Sequence, residues 1–381
     1  MKSILIRLSN KNVRMKKIPV YLIATIFAFS LTSCHSAKTS KTGKNSEVRN
    51  VILLIGDGMG LPDVYAAMTV SATPLNIERC RYTGLTKTYS ADNYVTDSGA
   101  AGTALATGTK TKNGAIGVDT LGNPVKSILE IAEEHGLATG LVSTSTITHA
   151  TPASFIAHQP GRGSYEDIAA DFLRTDIDVF IGGGIDHFSR RKDKINLFDS
   201  LRLKGYEVDT TLSSILQSKS LKIAGLTAPG NNPYRLKGRG NMLPEASAKA
   251  IEILKQTKKG FFLMVEGSQI DWAGHANAAD TLIDETLDFD KAVGVALDFA
   301  EADGHTLVII TADHETGGVT ITGGNKKKNV VNLSFSTKGH TAVMIPVYAY
   351  GPGAEEFTGI YENTDIFRKI LAAFGFDNST P

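Results

Sequence analysis

From residue 50 onward, short apolar runs alternate with amphipathic ones. "VILLIG" (51–56), "LATGLVST" (137–144), "VFIGG" (179–183), "FFLMVEG" (261–267), "TLVIIT" (306–311) and "MIPVYAY" (344–350) are apolar or small along most of their length. A strand with one wet face alternates polar and apolar residues, so these runs read as strands covered on both sides. Residues 124–136, 164–174, 244–257, 276–301 and 364–375 read as helices between and after them. The first has Pro near its start and Gly after its end, and the second opens with Ser164-x-x-Asp167. In the fourth, Leu282, Ile283, Phe289, Val293 and Leu297 form the apolar side. This alternation predicts an α/β fold: a large, mostly parallel central sheet with helices on both faces. No repeat or composition break divides 50–377, which reads as a single domain. Residues 213–243 contain Gly and Pro and are expected to be irregular. They would form a lid or crown at the sheet's edge, within a short 185–245 segment.

The first 49 residues read differently. Lys16 and Lys17 precede an apolar run, Ile18–Leu31, and then Thr32-Ser33-Cys34. A basic start, a short apolar core and small residues before a cut site make a secretory signal, too short to span a bilayer comfortably. Leu31-Thr32-Ser33-Cys34 matches a bacterial lipobox, so residues 1–34 are expected to be a lipoprotein signal with Cys34 lipidated. Met15 offers a second candidate start. Residues 35–49 are polar and aperiodic, as a flexible tether would be. The mature protein is then exported and anchored through Cys34, on the periplasmic or cell-surface side. The chain has 2 cysteines, so lipidation leaves only Cys80 and no internal disulfide. The 40 basic and 39 acidic residues nearly cancel and call for no nucleic-acid partner. The membrane enters only through the anchor.

Ligands of such sheets bind beyond the carboxyl ends of the strands. Asp57 follows the first strand, Glu266 ends "FFLMVEG" with Asp271 and His275 after it, and Asp313-His314 follow "TLVIIT". One Asp at a strand end is most often a helix cap. Four carboxylates on one rim are another matter, because they repel and resist desolvation unless cations sit among them. Asp271 and His275 share a helical face. Asp313 and His314 are adjacent, and serve one ion only where the chain turns. Carboxylate with imidazole suits zinc, while carboxylate with hydroxyl suits magnesium. His149 in "THATPAS" and His340 in "KGHTAV" are further candidates, although each alone reads as an ordinary core or surface histidine.

"YVTDSGAAGTALATG" (94–108) has two readings. It is a capped helix packed tightly through its small residues, or it raises Ser98 on a helix N-terminus, where an anion is favoured. A serine hydroxyl is a weak nucleophile and needs a base or a metal. No His-Asp pair here has the usual base pattern, so a metal is the better activator.

"LIGDGMG", "TDSGAAGTALATG", "THATPASFIAH", "GRGSY", "FFLMVEGSQIDWAGH", "TADHETGG" and "GHTAV" follow one another in an order that resembles the alkaline phosphatases. The resemblance runs from about residue 50 to 352. It implies metal-dependent hydrolysis of small phosphate monoesters through a phosphoserine, at a site with two zinc ions and one magnesium. Ser98 would be the nucleophile on the second zinc, which Asp313 and His314 also hold. Asp57 would bridge that zinc and the magnesium. Asp271, His275 and His340 would hold the first zinc, and Thr151 and Glu266 would complete the magnesium site. Arg162 would clamp phosphate with its planar fork. His149 and Trp272 stand where the best-known bacterial pattern has Asp and Lys. His149 would therefore meet the third metal directly or through water, and Trp272 would border the substrate without a cationic contact. Three divalent ions would outweigh four carboxylates and a serine alkoxide by about one charge, which attracts a dianion. Arg162 and the third ion thus favour monoesters over diesters and sulfate esters. The family is commonly dimeric, so a homodimer is expected.

Overall fold

The computed structural model describes residues 47–376. In chain order the strands are β1 (Asn50–Gly56), β2 (Tyr82–Lys87), β3 (Ala138–Thr146), β4 (Val179–Gly183), β5 (Glu207–Asp209), β6 (Ile223–Leu226), β7 (Phe261–Gly267) and β8 (Thr306–Thr311). Then come β9 (Glu315–Thr316), β10 (Val319–Asn325), β11 (Val330–Phe335) and β12 (His340–Thr341), followed by β13 (Ile345–Tyr350) and β14 (Gly359–Glu362). Ten of them form one sheet in the order β14-β2-β13-β8-β1-β7-β3-β4-β6-β5. Every pairing in it is parallel except those of β13 with β2 and β8. β10 pairs with β11, and β9 with β12, as two antiparallel ribbons outside the sheet. The expected mostly parallel sheet is therefore observed.

β1 explains the architecture. All of its residues are buried, between β7 and β8. Val51, Leu53 and Ile55 enter one core with Leu105, Ile128 and Phe155. Ile52 and Leu54 enter a second core with Phe289, Val293 and Leu297. Side chains alternate across a strand, so a run apolar at every position feeds two cores. Each fully buried aliphatic side chain contributes about 1.5–3 kcal/mol. Helices Ser98–Thr107, Ile128–Glu134 and Thr364–Phe374 cover the first face. Helices Met242–Leu254 and Ala279–Asp303 cover the second. In Ala279–Asp303, Leu282, Phe289, Val293 and Leu297 are buried as expected, while Ile283 lies at the margin.

Several boundaries move for local reasons. The helix expected at 124–136 starts at Ile128, because Ser127 and Glu130 form a reciprocal capping box there. Ser164 makes no side-chain cap bond to its helix, Tyr165–Asp171. Residues 1–46 lie outside the described residues, and with them the signal and most of the tether. The end of the expected tether is already folded: His305 Nδ1 donates to the Glu47 carbonyl, and Arg49 N–H donates to the His305 carbonyl.

The segment expected to be irregular is so over most of its length, but two short regular pieces interrupt it. It holds helix Leu212–Gln217 and strand β6, which with β5 builds the far parallel end of the sheet. β5 and β6 are too short to announce themselves by periodicity. The stretches 218–222 and 227–241 run without helix or strand, apart from a 3-10 turn at Arg235–Lys237 in the second. The longer one is pinned to Ala279–Asp303 by charge. Buried Arg239 meets Glu285 at 2.5 Å and Asp288 at 2.9 Å, and Arg235 Nε donates to Asp284 at 2.9 Å.

One pair links pH to stability. His158 Nδ1 faces the Gly117 carbonyl at 2.6 Å, and Nε2 faces Glu130 Oε1 at 3.0 Å. Both partners are acceptors, so only the imidazolium satisfies both. Burial opposes that charge, but these two bonds hold the His158 pKa above its ordinary value. Stability from the pair is full below about pH 6.5 and is lost as pH rises through the folded-state pKa. His158→Gln should therefore cost more at pH 6 than at pH 9, by on the order of 1 kcal/mol. Denaturant melts at the two pH values read this, and equal losses would contradict it.

Candidate metal centre and nucleophile

Three strands deliver carboxylates to one rim. β1 ends at Gly56 and Asp57 follows; β7 carries Glu266; β8 ends at Thr311 and Asp313 follows. β7, β1 and β8 are adjacent and parallel, so their carboxyl ends share that rim. Helix Gln269–His275 follows β7 directly and presents Asp271 and His275 one turn apart. Gln269 anchors its start, donating to the carbonyls of Thr144 and Asn232.

Gly58 permits the convergence. Its φ is +73°, and a Cβ there would lie 2.7 Å from Asp271 Cα and 2.8 Å from Thr316 Oγ1. Its N–H donates to Asp313 Oδ1 at 3.0 Å. One glycine thus lets the β1 loop touch the acids that follow both neighbouring strands.

The acids and histidines form three clusters: Asp271 with His275 and His340; Asp57 with Asp313 and His314; and Asp57 with His149 and Glu266. Within each, one ligand atom per residue lies within 4.8 Å of the others. Asp57 belongs to two of them, so the sets are contiguous.

The hydrogen bonds reveal what the first cluster lacks. His275 Nδ1 faces the Lys338 carbonyl, and His340 Nδ1 faces that of Thr96. Carbonyls only accept, so both Nδ1 atoms carry hydrogen and neutral rings leave lone pairs on Nε2. Those two Nε2 atoms lie 3.1 Å apart, with Asp271 Oδ1 at 3.3 and 3.4 Å. Two lone pairs and a carboxylate cannot face one another without a cation or proton between them. In the other two clusters, both Asp57 oxygens, Asp313 Oδ2, Glu266 Oε1, Thr151 Oγ1 and His149 Nδ1 are buried without a hydrogen-bond partner. Such orphaned donor atoms are costly unless an ion satisfies them. The donor set of carboxylate, imidazole and hydroxyl fits divalent cations.

The titration behaviour agrees. Burial pushes the Asp57 pKa well up, and Asp313, Asp271 and Glu266 push it further. Burial likewise raises Glu266. Burial drives His149 down to about 4, with Arg162 adding to the shift, so this ring is neutral and free to donate a lone pair. Burial opposes charge on both Asp271 and His340, yet their mutual bond holds Asp271 below the usual carboxylate range and His340 above its ordinary value, so in the absence of an ion a proton fills the gap between them.

Ser98 opens the helix Ser98–Thr107 and is buried, with Oγ 3.3 Å from His314 Nε2. Both readings of the small-residue run hold. A Cβ on Gly102 would meet Ser154 Oγ at 2.9 Å and Thr151 Cα at 3.4 Å, so the run also lets the helix press against the turn that carries Thr151. Asp97 caps this helix through Ala100 N–H. The same carboxylate accepts from Gly114 N–H and from Arg162 Nη1 at 2.8 Å. Burial disfavours its charge, but these donors outweigh it and keep Asp97 ionised. Arg162 Nη2 lies 3.5 Å from His149 Nε2, and Trp272 meets the His149 ring edge-on at 5.8 Å.

Every residue singled out from the sequence thus lies in or beside this rim. Sequence reasoning missed the groups that hold them. Asp97 is one of them, and its spacing to Arg162 carries no signal along the chain. Thr316 in "TADHETGG" was passed over. Its hydroxyl donates to Asp271 Oδ1 at 2.5 Å and lies 3.2 Å from His314 Nδ1, joining the first cluster to the second. Ser143, Ser145 and Ser268 pack around Glu266. Serines at the end of an otherwise apolar strand were the available clue.

The alkaline phosphatase family profile matches residues 48–334. The chain belongs to the alkaline phosphatase family. Alkaline phosphatase 4 of Bacillus subtilis is 37% identical over 95% of this chain and 98% of its own. Alkaline phosphatase of Escherichia coli K12 is 33% identical over 91% and 90%. The solved structure of alkaline phosphatase from the Antarctic bacterium TAB5 superposes with a TM-score of 0.83 at 46% identity, covering 87% of this chain and 99% of that one. A histidine-to-aspartate mutant of the TAB5 enzyme has magnesium bound in its M3 site. As an alkaline phosphatase, the chain is a phosphomonoesterase that hydrolyses phosphate monoesters.

The Gly58 contact yields a test. Gly58→Ala combines a left-handed backbone with an unavoidable clash, costing on the order of 2–4 kcal/mol. Thermal melts of the metal-loaded protein should show that loss, and elemental analysis should show less bound metal. Native values for both would refute the role given to Gly58.

Proposed function

We propose that this alkaline phosphatase acts through a phosphoserine at Ser98, with two zinc ions and one magnesium. Asp271, His275 and His340 would hold the first zinc. Asp57, Asp313, His314 and Ser98 would hold the second. Asp57, Glu266 and Thr151 would hold the magnesium, with His149 as a further donor. The observation that carries this reading is the pair of Nε2 atoms 3.1 Å apart beside Asp271, next to orphaned carboxylates around the Ser98 hydroxyl.

Ions bound there would supply Lewis acidity, favouring the ionised Ser98 oxygen and neutralising developing charge on the phosphoryl group. Ser98 Oγ forms a bond to phosphorus as the ester P–O bond breaks, and the alcohol leaves with a proton. Water then breaks the Ser98–phosphorus bond, giving inorganic phosphate and restoring the hydroxyl. The N-terminus of Ser98–Thr107 would face the anion with the positive end of its dipole. Arg162, restrained through Asp97, offers its second nitrogen to the phosphate oxygens. The half-buried Trp272 borders His149 and gives that wall no charge. Uncatalysed monoester hydrolysis is among the slowest reactions, and general acid–base catalysis alone, about 10²–10⁴-fold, falls far short.

The anchor at Cys34, export to the periplasmic or cell-surface side and a homodimer complete the proposal. The lipobox supports the first two. For the dimer, Leu61, Tyr65, Val343 and Met344 are exposed beside Val319 and Thr320. An apolar patch of this kind supports burial against a second copy.

Two experiments test these assignments. Ser98→Ala should lower kcat on a chromogenic monoester by about 10³-fold or more, and a chelator should abolish native activity until zinc and magnesium return. Chelator-resistant activity would defeat the metal assignment. Cys34→Ser should move the protein from the membrane fraction to the soluble one, where it should sediment at twice the chain mass. Unchanged partitioning would refute the anchor, and a monomer would refute the dimer.

A further inference from the structure

Two serines reach one oxygen of Glu266, and a third braces them. β3 and β7 run parallel with Ser143 beside Glu266 in register, and Ser143 and Ser145 project to the same side of β3. The Ser143 hydroxyl donates to Glu266 Oε2 at 2.6 Å. Ser145 Oγ approaches the same oxygen at 3.3 Å, while also reaching its neighbour's carbonyl, Thr146 O, at 3.1 Å. Ser143 Oγ is braced by Ser145 Oγ at 2.8 Å and Ser268 Oγ at 3.0 Å. The Ser145 N–H reaches both Ser143 Oγ and Ser268 Oγ at 3.1 Å. All four residues are fully buried.

The two Glu266 oxygens therefore differ. Oε2 is held by hydroxyl donors. Oε1 is buried without any hydrogen-bond partner, in a residue that clusters with Asp57 and His149. A free carboxylate would rotate and could offer either oxygen or both. This one is fixed before any ion arrives.

We propose that Ser143, braced by Ser145 and Ser268, is a positioning residue that holds Glu266 so that it offers the third cation Oε1 alone. The inference rests on the third-metal reading above and deepens it. The hydroxyls favour the ionised carboxylate in a dry interior, and they remove the rotational freedom that binding would otherwise have to freeze. Partners of this kind behind a metal ligand typically matter 10–100-fold in affinity.

The test is magnesium binding to the full-length, zinc-loaded protein by equilibrium dialysis, with zinc and magnesium counted by elemental analysis. Ser143→Ala should weaken magnesium binding by about 10–100-fold while zinc content stays native. Ser143→Thr, which keeps the hydroxyl, should restore affinity to within about threefold of native. Ser145→Ala should lose less than Ser143→Ala, because its contact is longer and shared. Should Ser143→Ala fail to fold, Ser268→Ala removes the brace instead and should weaken binding by about threefold or more. Native magnesium affinity in Ser143→Ala, or in Ser268→Ala where that stands in, overturns the inference and leaves the third site standing. No magnesium bound by the native protein would overturn the third-site reading itself, and this inference with it.

Discussion

Uncancelled negative charge in a dry place is the constraint on which the structure depends. Asp57, Glu266, Asp271 and Asp313 are buried together at one rim of the sheet. Carboxylates so placed must be protonated, paired with cations or destabilising. Opposed His275 and His340 lone pairs add to the conflict. Among the described residues, the guanidinium that acts on Asp57, that of Arg162, is already paired with Asp97. Divalent ions relieve all of it at once, and a rim rich in positive charge then suits a phosphate dianion.

The fold exists to make that concentration tolerable. Parallel strands place their carboxyl ends side by side, so three strands in register deliver their acids to one rim without long loops. Two apolar cores, one on each face of β1, supply the stability that a charged rim consumes. Gly58 allows the closest approach, and the small residues of Ser98–Thr107 let that helix lie against the Thr151 turn. Tight packing in this helix is therefore how the Ser98 hydroxyl reaches the acid-lined rim.

Several of these side chains are held by groups outside the candidate donor set. Asp97 restrains Arg162, Thr316 joins Asp271 to His314, the Lys338 and Thr96 carbonyls set two imidazole tautomers, and Ser143 and Ser145 grip Glu266. These supports leave fewer degrees of freedom to freeze when an ion or a phosphate binds. They also decide which atom of each ligand is offered.

The sequence by itself determined the layered sheet, because a strand apolar at every position must be covered twice, and the ligands, because acids and histidines after such strands have few bland explanations. Asp57, Glu266, Asp271, His275, Asp313 and His314 were legible for that reason. His149 and His340 were candidates that spacing alone left open, and Arg162 was legible only through resemblance, since a lone histidine or arginine in a loop carries no periodic signal. Tertiary structure alone decided β5 and β6, which are too short for periodicity and form by pairing with the growing sheet edge. It alone decided the supports as well. Asp97 and Arg162 are 65 positions apart and Ser143 and Glu266 are 123 apart, yet each pair meets through a hydrogen bond. Spacing along the chain reports only on neighbours a few residues away, whereas hydrogen bonds and ion pairs depend on distance through space.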